Sequence, residues 1–428
     1  MKLEDLVHMS SPGLVRILEI LPIDSRQALL ATSNTLRHGV HQFATGICII
    51  GEHLDTKLLI KTPFPCLRRL SITSSYATSE DIVEVAQAKW PLLDSLKLAL
   101  DMSGEQLKLL LASMDRPNLH SLNLSHNKWD IVSTSSLAHS NWTMLSHLAL
   151  CGASLDAAAI AEVIGGNFPL LSVLKLDYNA LGSQAMTHLS QGSWPHLKCL
   201  SLRGNDLDAN AINHLIKGNW PLLSVLRLDV NALDSQAMAH LTQGSWPYLK
   251  YLSLRENALE AIAINRLMRG NWPLLEHVDL FCNHIGDEGI RAVVQGNWTN
   301  LQILDVGRNY CVFGACILSA GNWPLLRELK VADVFYPPAF ISSLKGSWPL
   351  LEKLDLSGKL LNDDMISLLF GVDSIDLDEL IYKQPRFDGQ LTILKCPVHK
   401  HWPSLTSVTL AVHLPRRNKS IALFVSCV

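Results

Sequence analysis

Along most of the chain the apolar positions recur in a fixed order. The stretch Trp220-Pro221-Leu222-Leu223-Ser224-Val225-Leu226-Arg227-Leu228-Asp229-Val230-Asn231-Ala232-Leu233 shows it. Leu226 and Leu228 alternate, so they point to one face of a short strand, and Leu223 and Leu233 bracket it. From Asp234 to Ser245 the period changes. Ala237, Met238 and Leu241 fall on one face of a helix of about ten residues. Asp234 or Ser235 stands where the helix N-cap belongs, and Gly244 where a left-handed C-terminal cap would close it. Pro247 forbids further helix and extends Trp246. Its missing N–H suits the lead-in to a strand rather than the middle of one.

This strand–helix unit repeats. Ten of the eleven tryptophans sit on one ladder (Trp90, Trp142, Trp194, Trp220, Trp246, Trp272, Trp298, Trp323, Trp348 and Trp402), spaced by 26 residues or multiples of 26, with steps of 25 near Trp323 and of 54 before Trp402. Phe64, Arg116 and Phe168 fill the vacant rungs, and Trp129 stands off the ladder. A large aromatic at every period reads as a wedge filling the space between units. Six consecutive units carry an Asn at the turn, Asn179, Asn205, Asn231, Asn257, Asn283 and Asn309, where an amide can satisfy unpaired backbone groups. Residues 167–218 match 219–270 at 37 of 52 positions, as a duplicated pair of units would.

The recurring LxxLxLxxNxL resembles the leucine-rich repeat. Helices pack about 10 Å apart and strands roughly 4.8 Å, so stacked units must curve. The expected fold is an α/β solenoid: a horseshoe with a parallel concave sheet, convex helices and a 26-residue period. It spans residues 51–428, regular over 64–361 and irregular from 362 to the C-terminus. Val334-Phe335-Tyr336-Pro337-Pro338 and residues 373–387 break units, and the tail from Arg416 reads as a frayed or capping end.

Residues 1–50 lack the repeat and read as helices, a small module ahead of the solenoid. The apolar step at Ile17-Leu18 and Leu21-Pro22, then Asp24, Arg26, Leu29-Leu30 and Ser33-Asn34-Thr35-Leu36-Arg37, resembles an F-box. It departs from that family at Met9-Ser10 and Gly13. The F-box/leucine-rich-repeat family implies a docking surface for the adaptor of a cullin-type ubiquitin ligase, here Leu14, Ile17, Leu18, Leu21, Pro22, Leu29 and Leu30, with the repeats capturing a protein substrate. The alternative is a stand-alone repeat scaffold whose N-terminal helices only cap the first repeat, as solenoids require.

Composition narrows the classes. The formal net charge of −3 argues against a grip on nucleic acid through phosphate neutralisation. No apolar run approaches the roughly 20 residues of a membrane span. The start, MKLEDLVHMSSPG, has acids and no apolar block after a basic cap, so no secretory signal is read there. A cytoplasmic or nuclear setting is therefore expected, with the nine cysteines as buried free thiols. The sequence shows no phosphate loop, nucleophile elbow or zinc-protease motif. No enzyme activity, cofactor or metal is expected. His188, His214 and His240 recur on successive helices about 8–10 Å apart, too far to share an ion, and read as a solvated convex face. Cys396 to His401, and the pair Cys311 and Cys316, also lack a complete ligand set.

Strand residues flanking the buried leucines form three rows on the concave face. The first reads Asp177, Arg203, Asp229, Arg255, Phe281. The second reads Lys175, Ser201, Arg227, Ser253, Asp279, Asp305, Lys330, Asp355, and the third Val173, Cys199, Val225, Tyr251, His277, Ile303. Two readings stand: a self-satisfied ladder of exposed ion pairs, or a partner-binding strip of Tyr251, Arg255, Asp279, Phe281, Asp229 and Arg203, residue types that protein interfaces enrich.

Overall fold

The computed structural model describes residues 45–53, 64–114, 116, 118–332, 348–361, 392–396, 404–414 and 419–427. They fall into two compact units, Met1–Asn179 with Gly192–Leu197, and Ala180–Gln191 with Lys198–Val428. Each repeat contacts only its neighbours, so a long array has no single centre and divides readily. The first unit carries strands β1 (Gly46–His53), β2 (Arg69–Tyr76), β3 (Ser95–Ala99), β4 (Ser121–Asn123), β5 (His147–Ala149) and β6 (Val173–Lys175), each parallel to the one before. Between them run helices α1 (Ser79–Gln87), α2 (Gly104–Ser113), α3 (Ile131–His139) and α4 (Ala157–Gly165).

The second unit opens with α5 (Gly182–Leu189). Strands β7 (Cys199–Ser201), β8 (Val225–Arg227), β9 (Tyr251–Ser253), β10 (His277–Asp279), β11 (Ile303–Asp305) and β12 (Glu328–Lys330) follow, alternating with α6 (Ala209–Leu215), α7 (Ser235–Leu241), α8 (Ala261–Leu267), α9 (Gly286–Gln295) and α10 (Gly314–Leu318). The sheet continues in parallel through β13 (Lys353–Leu361) to β15 (Ser407–Leu414). It ends with β16 (Lys419–Cys427) antiparallel to β15, and β14 (Thr392–Cys396) parallel to β16. The C-terminal tail is thus a reversed strand inserted between β15 and β14, and β14 forms the edge. At the other end β1 begins at Gly46, inside the segment 1–50 predicted to be helical, because the alternating run Ile47, Ile49 extends the sheet by pairing with β2.

The alternating leucines make the core. Leu223, Leu226, Leu228, Leu249, Leu252 and Leu254 are all fully buried, as are Ala237, Met238 and Leu241 from the helix face. Asp234 is the N-cap of α7, accepting the Ala237 N–H at 2.8 Å. The helix is seven residues long rather than about ten, because Gln243 and Gly244 close it with turns back to His240 and Leu241.

Gly244 does not take the left-handed conformation expected of a cap. Its smallness serves the wedge instead: a Cβ there would lie 2.7 Å from Cη2 and Cζ3 of the Trp246 indole, and Gly192, Gly218 and Gly270 face Trp194, Trp220 and Trp272 in the same way. The indoles are buried, and Trp323 and Trp348 stack with centroids 6.1 Å apart. Arg116, on a rung without an aromatic, lies with its guanidinium carbon 5.3 Å from the Trp90 ring. Its Nη2 donates to the Val85, Ala86 and Ala88 carbonyls at the end of α1. Hydrogen bonds to a helix terminus there replace the apolar area of a tryptophan.

The asparagines form a ladder, buried at Asn179, Asn205, Asn257, Asn283 and Asn309 and half-buried at Asn231. Asn231 Oδ1 accepts the Asn205 and Leu207 N–H groups, while its Nδ2 donates to the Leu202, Leu228 and Asp229 carbonyls. Asn257 and Asn283 repeat this one unit on. The residue ahead of each Asn is left-handed in the strained turn, with φ of 54° at both Val230 and Glu256.

Cys48, Cys66, Cys151, Cys199, Cys282, Cys311 and Cys316 are free thiols, but of these only Cys311 is buried, its pKa pushed by burial up to about 12; Cys48 is exposed and the other five are half-buried. His188, His214 and His240 are half-buried rather than solvated. Among the described residues no helix is long and apolar enough to cross a membrane.

Candidate protein-binding strip

The candidate strip lies entirely within the second unit, and the parallel register builds it. Val225, Tyr251, His277, Ile303 and Glu328 are paired from strand to strand, as are Arg227, Ser253, Asp279, Asp305 and Lys330. Between these rows Leu226, Leu252, Val278, Leu304 and Leu329 point into the core and are fully buried. Alternation along each strand therefore puts the polar and aromatic side chains on the opposite face.

All six residues predicted for the strip come together there. Arg203 Nε lies 2.9 Å from Asp229 Oδ2. The other Asp229 oxygen accepts the Arg255 N–H at 3.2 Å and the Ser253 hydroxyl. Arg255 does not pair with Asp229 along its own row as expected. Its guanidinium turns forward to Asp279 Oδ2 at 3.1 Å and sits 4.0 Å from Asp305 Oδ2, with Cζ 4.4 Å from the Phe281 ring centre. Asp229 is already held by Arg203, and the aromatic face offers the guanidinium a flat seat. Gly307 leaves room for that seat, since a Cβ there would meet Phe281 at 3.1 Å. Arg308 approaches Phe281 at 5.5 Å.

The acids are not the exposed ladder that one reading expected. Asp229, Asp279 and Asp305 are 3%, 4% and 4% exposed. Burial, and then the neighbouring Asp279 charge, push the Asp305 carboxyl up to about 7. Burial also raises Asp279, against the pull of Arg255. Burial opposes the Arg255 charge too, but Asp279, Asp305 and Asp229 together hold it above its usual value. A second network lies beyond: Glu328 bridges Lys330 at 2.9 Å and Lys353 at 3.5 Å.

Three residues outside the predicted set belong to the same surface. His277 packs against Tyr251 with centroids 4.3 Å apart, and burial with the Lys330 charge brings its pKa down to about 4, so it is neutral at pH 7. Arg227 lies 5.0 Å over the Tyr251 ring. Arg308 is the third. Arg227 carries a signal in the sequence: its row neighbours are Ser201 and Ser253, so no acid flanks it. Among the described residues no group of three or more His, Cys, Asp or Glu side chains is placed to hold a metal ion.

Residues 273–294, which span β10, Asn283 and most of α9, match the family profile described as Leucine Rich repeat. The chain is also similar to a chain in the crystal structure of the Rad7 and Elc1 complex in yeast, at 17% identity and a TM-score of 0.51 over 82% of this chain and 85% of that one. The fold is a leucine-rich-repeat solenoid. An internalin, inlF, from Listeria monocytogenes overlaps 82% of this chain and 93% of its own at 17% identity, with a TM-score of 0.42. The search of curated proteins finds no match. The seven predicted adaptor-contact residues, Leu14 to Leu30, lie outside the described residues, as do His399 and His401.

Proposed function

We propose that this chain is a non-enzymatic substrate-recognition subunit of a cullin-type ubiquitin ligase. Residues 1–50 bind the adaptor, and the strip of the second unit binds a protein substrate. The observation that carries the binding half is the strip itself: Tyr251, His277 and Phe281 interleaved with Arg227, Arg255 and Arg308 along and just beyond the four in-register strands β8 to β11. A broad row of this kind suits a macromolecule, whereas a small ligand needs a concavity that buries most of it. The ligase half is supported by the F-box resemblance at Ile17 to Arg37, by its position ahead of the repeats, and by the fold shared with a chain from the Rad7 and Elc1 complex. The mechanism is tethering: one end holds the ligase and the other the target, which raises the target's effective concentration.

The test is a binding titration of the full chain against a purified cullin adaptor, with the double variant Ile17→Asp and Leu30→Asp as control. Charges placed in an apolar contact lose packing and solvation together. Micromolar binding by the parent and none by the variant, both with folded repeats, is the expected result. No adaptor binding by the parent leaves the stand-alone scaffold as the correct reading.

A further inference from the structure

Several charges of the strip answer one another. Arg203 is matched by Asp229, Arg255 by Asp279 with Asp305 beyond it, and Lys330 and Lys353 by Glu328. Arg227 differs from these. Among the described residues it forms no ion pair, and its Nε is buried without a hydrogen-bond acceptor. Its strand neighbour on β9 is Ser253, whose hydroxyl is already given to Asp229. The guanidinium is nevertheless held in place, 5.0 Å over Tyr251, which in turn packs on the neutral ring of His277. A half-buried cation fixed on an aromatic platform, and unanswered by any acid, has unused donors for an anion.

We propose that Arg227 is the anchor for a carboxylate of the bound partner, and that the partner presents it as a single Asp or Glu within an otherwise apolar segment lying along Tyr251 and Phe281. This rests on the strip being the binding site and names the chemistry of what binds. The surroundings select a lone carboxylate over a polyanion. Asp229 lies two residues along the chain, and Asp279 and Asp305 follow in the same row beyond Ser253, so a nucleic-acid backbone running from Arg227 along the strip would set further phosphates against three acids. One carboxylate takes the planar fork of one arginine, and the flanking apolar residues meet the aromatic rings.

The experiment pans a random dodecapeptide library on the full chain and measures the recovered peptides, made synthetically, against three proteins: the parent, Arg227→Gln, and the double variant Tyr251→Ala and Phe281→Ala. A single-stranded RNA oligonucleotide is titrated in parallel. The expected outcome is enrichment of one acidic position among aliphatic and aromatic residues, with roughly tenfold or greater weakening by Arg227→Gln at an unchanged melting temperature. Arg227→Glu should recover binding to a peptide whose acid is replaced by Lys. Loss of binding in the double variant but not in Arg227→Gln would keep the strip and overturn the anchor. Peptides indifferent to all three proteins, or no peptides at all, would overturn the strip and the anchor together. RNA binding that depends on Arg227 and exceeds that of every peptide would overturn the carboxylate assignment.

Discussion

The indole of Trp246 occupies the space that a side chain on Gly244 would need: two ring carbons lie 2.7 Å from the Cβ position of that glycine. The two residues are therefore one packing device, repeated at Gly192, Gly218, Gly270 and Gly321 with the Trp two positions on. Gly244→Ala should cost about 1–3 kcal/mol through overpacking, and Trp246→Ala about 3–5 kcal/mol through the cavity it leaves. The double variant should cost clearly less than the sum, because the alanine methyl then enters vacated space. Urea unfolding of the four proteins measures this coupling, and strict additivity would refute the device.

Asn257 ties neighbouring repeats together. Its Oδ1 accepts N–H groups from Asn231 and Leu233, and its Nδ2 donates to the Leu228 and Arg255 carbonyls. Asn257→Ala strands buried backbone groups and should cost on the order of 2–4 kcal/mol. Amide exchange should rise first at Asn231 and Leu233, before the helices open. Unchanged protection at those two amides would show that the ladder is not what holds the turns.

Asp305 links stability to pH. Its folded-state pKa of about 7 stands above the ordinary 3.8, so between these values the native state holds a proton that the unfolded chain has released. Stability therefore falls as pH rises through that window and levels off above about 7. Asp305→Asn can keep the acceptor for the Gly307 N–H and removes the charge. It should flatten the fall and gain no more than about 4 kcal/mol above pH 7, less whatever the Arg255 contact at 4.0 Å supplies. Urea midpoints of both proteins between about pH 5 and about pH 8 check this. Parallel curves would contradict it.

Much of this was legible in the sequence, for reasons that differ residue by residue. Leu226 and Leu228 alternate because only one face of a strand is buried, and the Trp period and Asn ladder survive because every rung solves the same packing problem. The Asp234 cap follows from a local rule. Gly244 misled because a glycine that ends a helix and one that clears an aromatic two positions on look alike in sequence. The direction taken by Arg255 was hidden for another reason: it depends on Asp229 being engaged by Arg203 and on Phe281 packing close to Gly307, both set by tertiary packing. Arg116 showed only that a rung lacked its aromatic, not that the helix end behind it offered three carbonyls.

The central claim is that a partner protein is held across the strip of the second unit, independently of residues 1–50. Quantitative capture of binding partners by three proteins tests it most directly: the full chain, the chain lacking residues 1–50, and the double variant Tyr251→Ala and Phe281→Ala, each with its melting temperature. The account predicts that the deletion loses the ligase adaptor and keeps the remaining partner, while the double variant keeps the adaptor and loses that partner with its melting temperature within a few degrees of the parent. A double variant that is equally folded and retains every partner would contradict it.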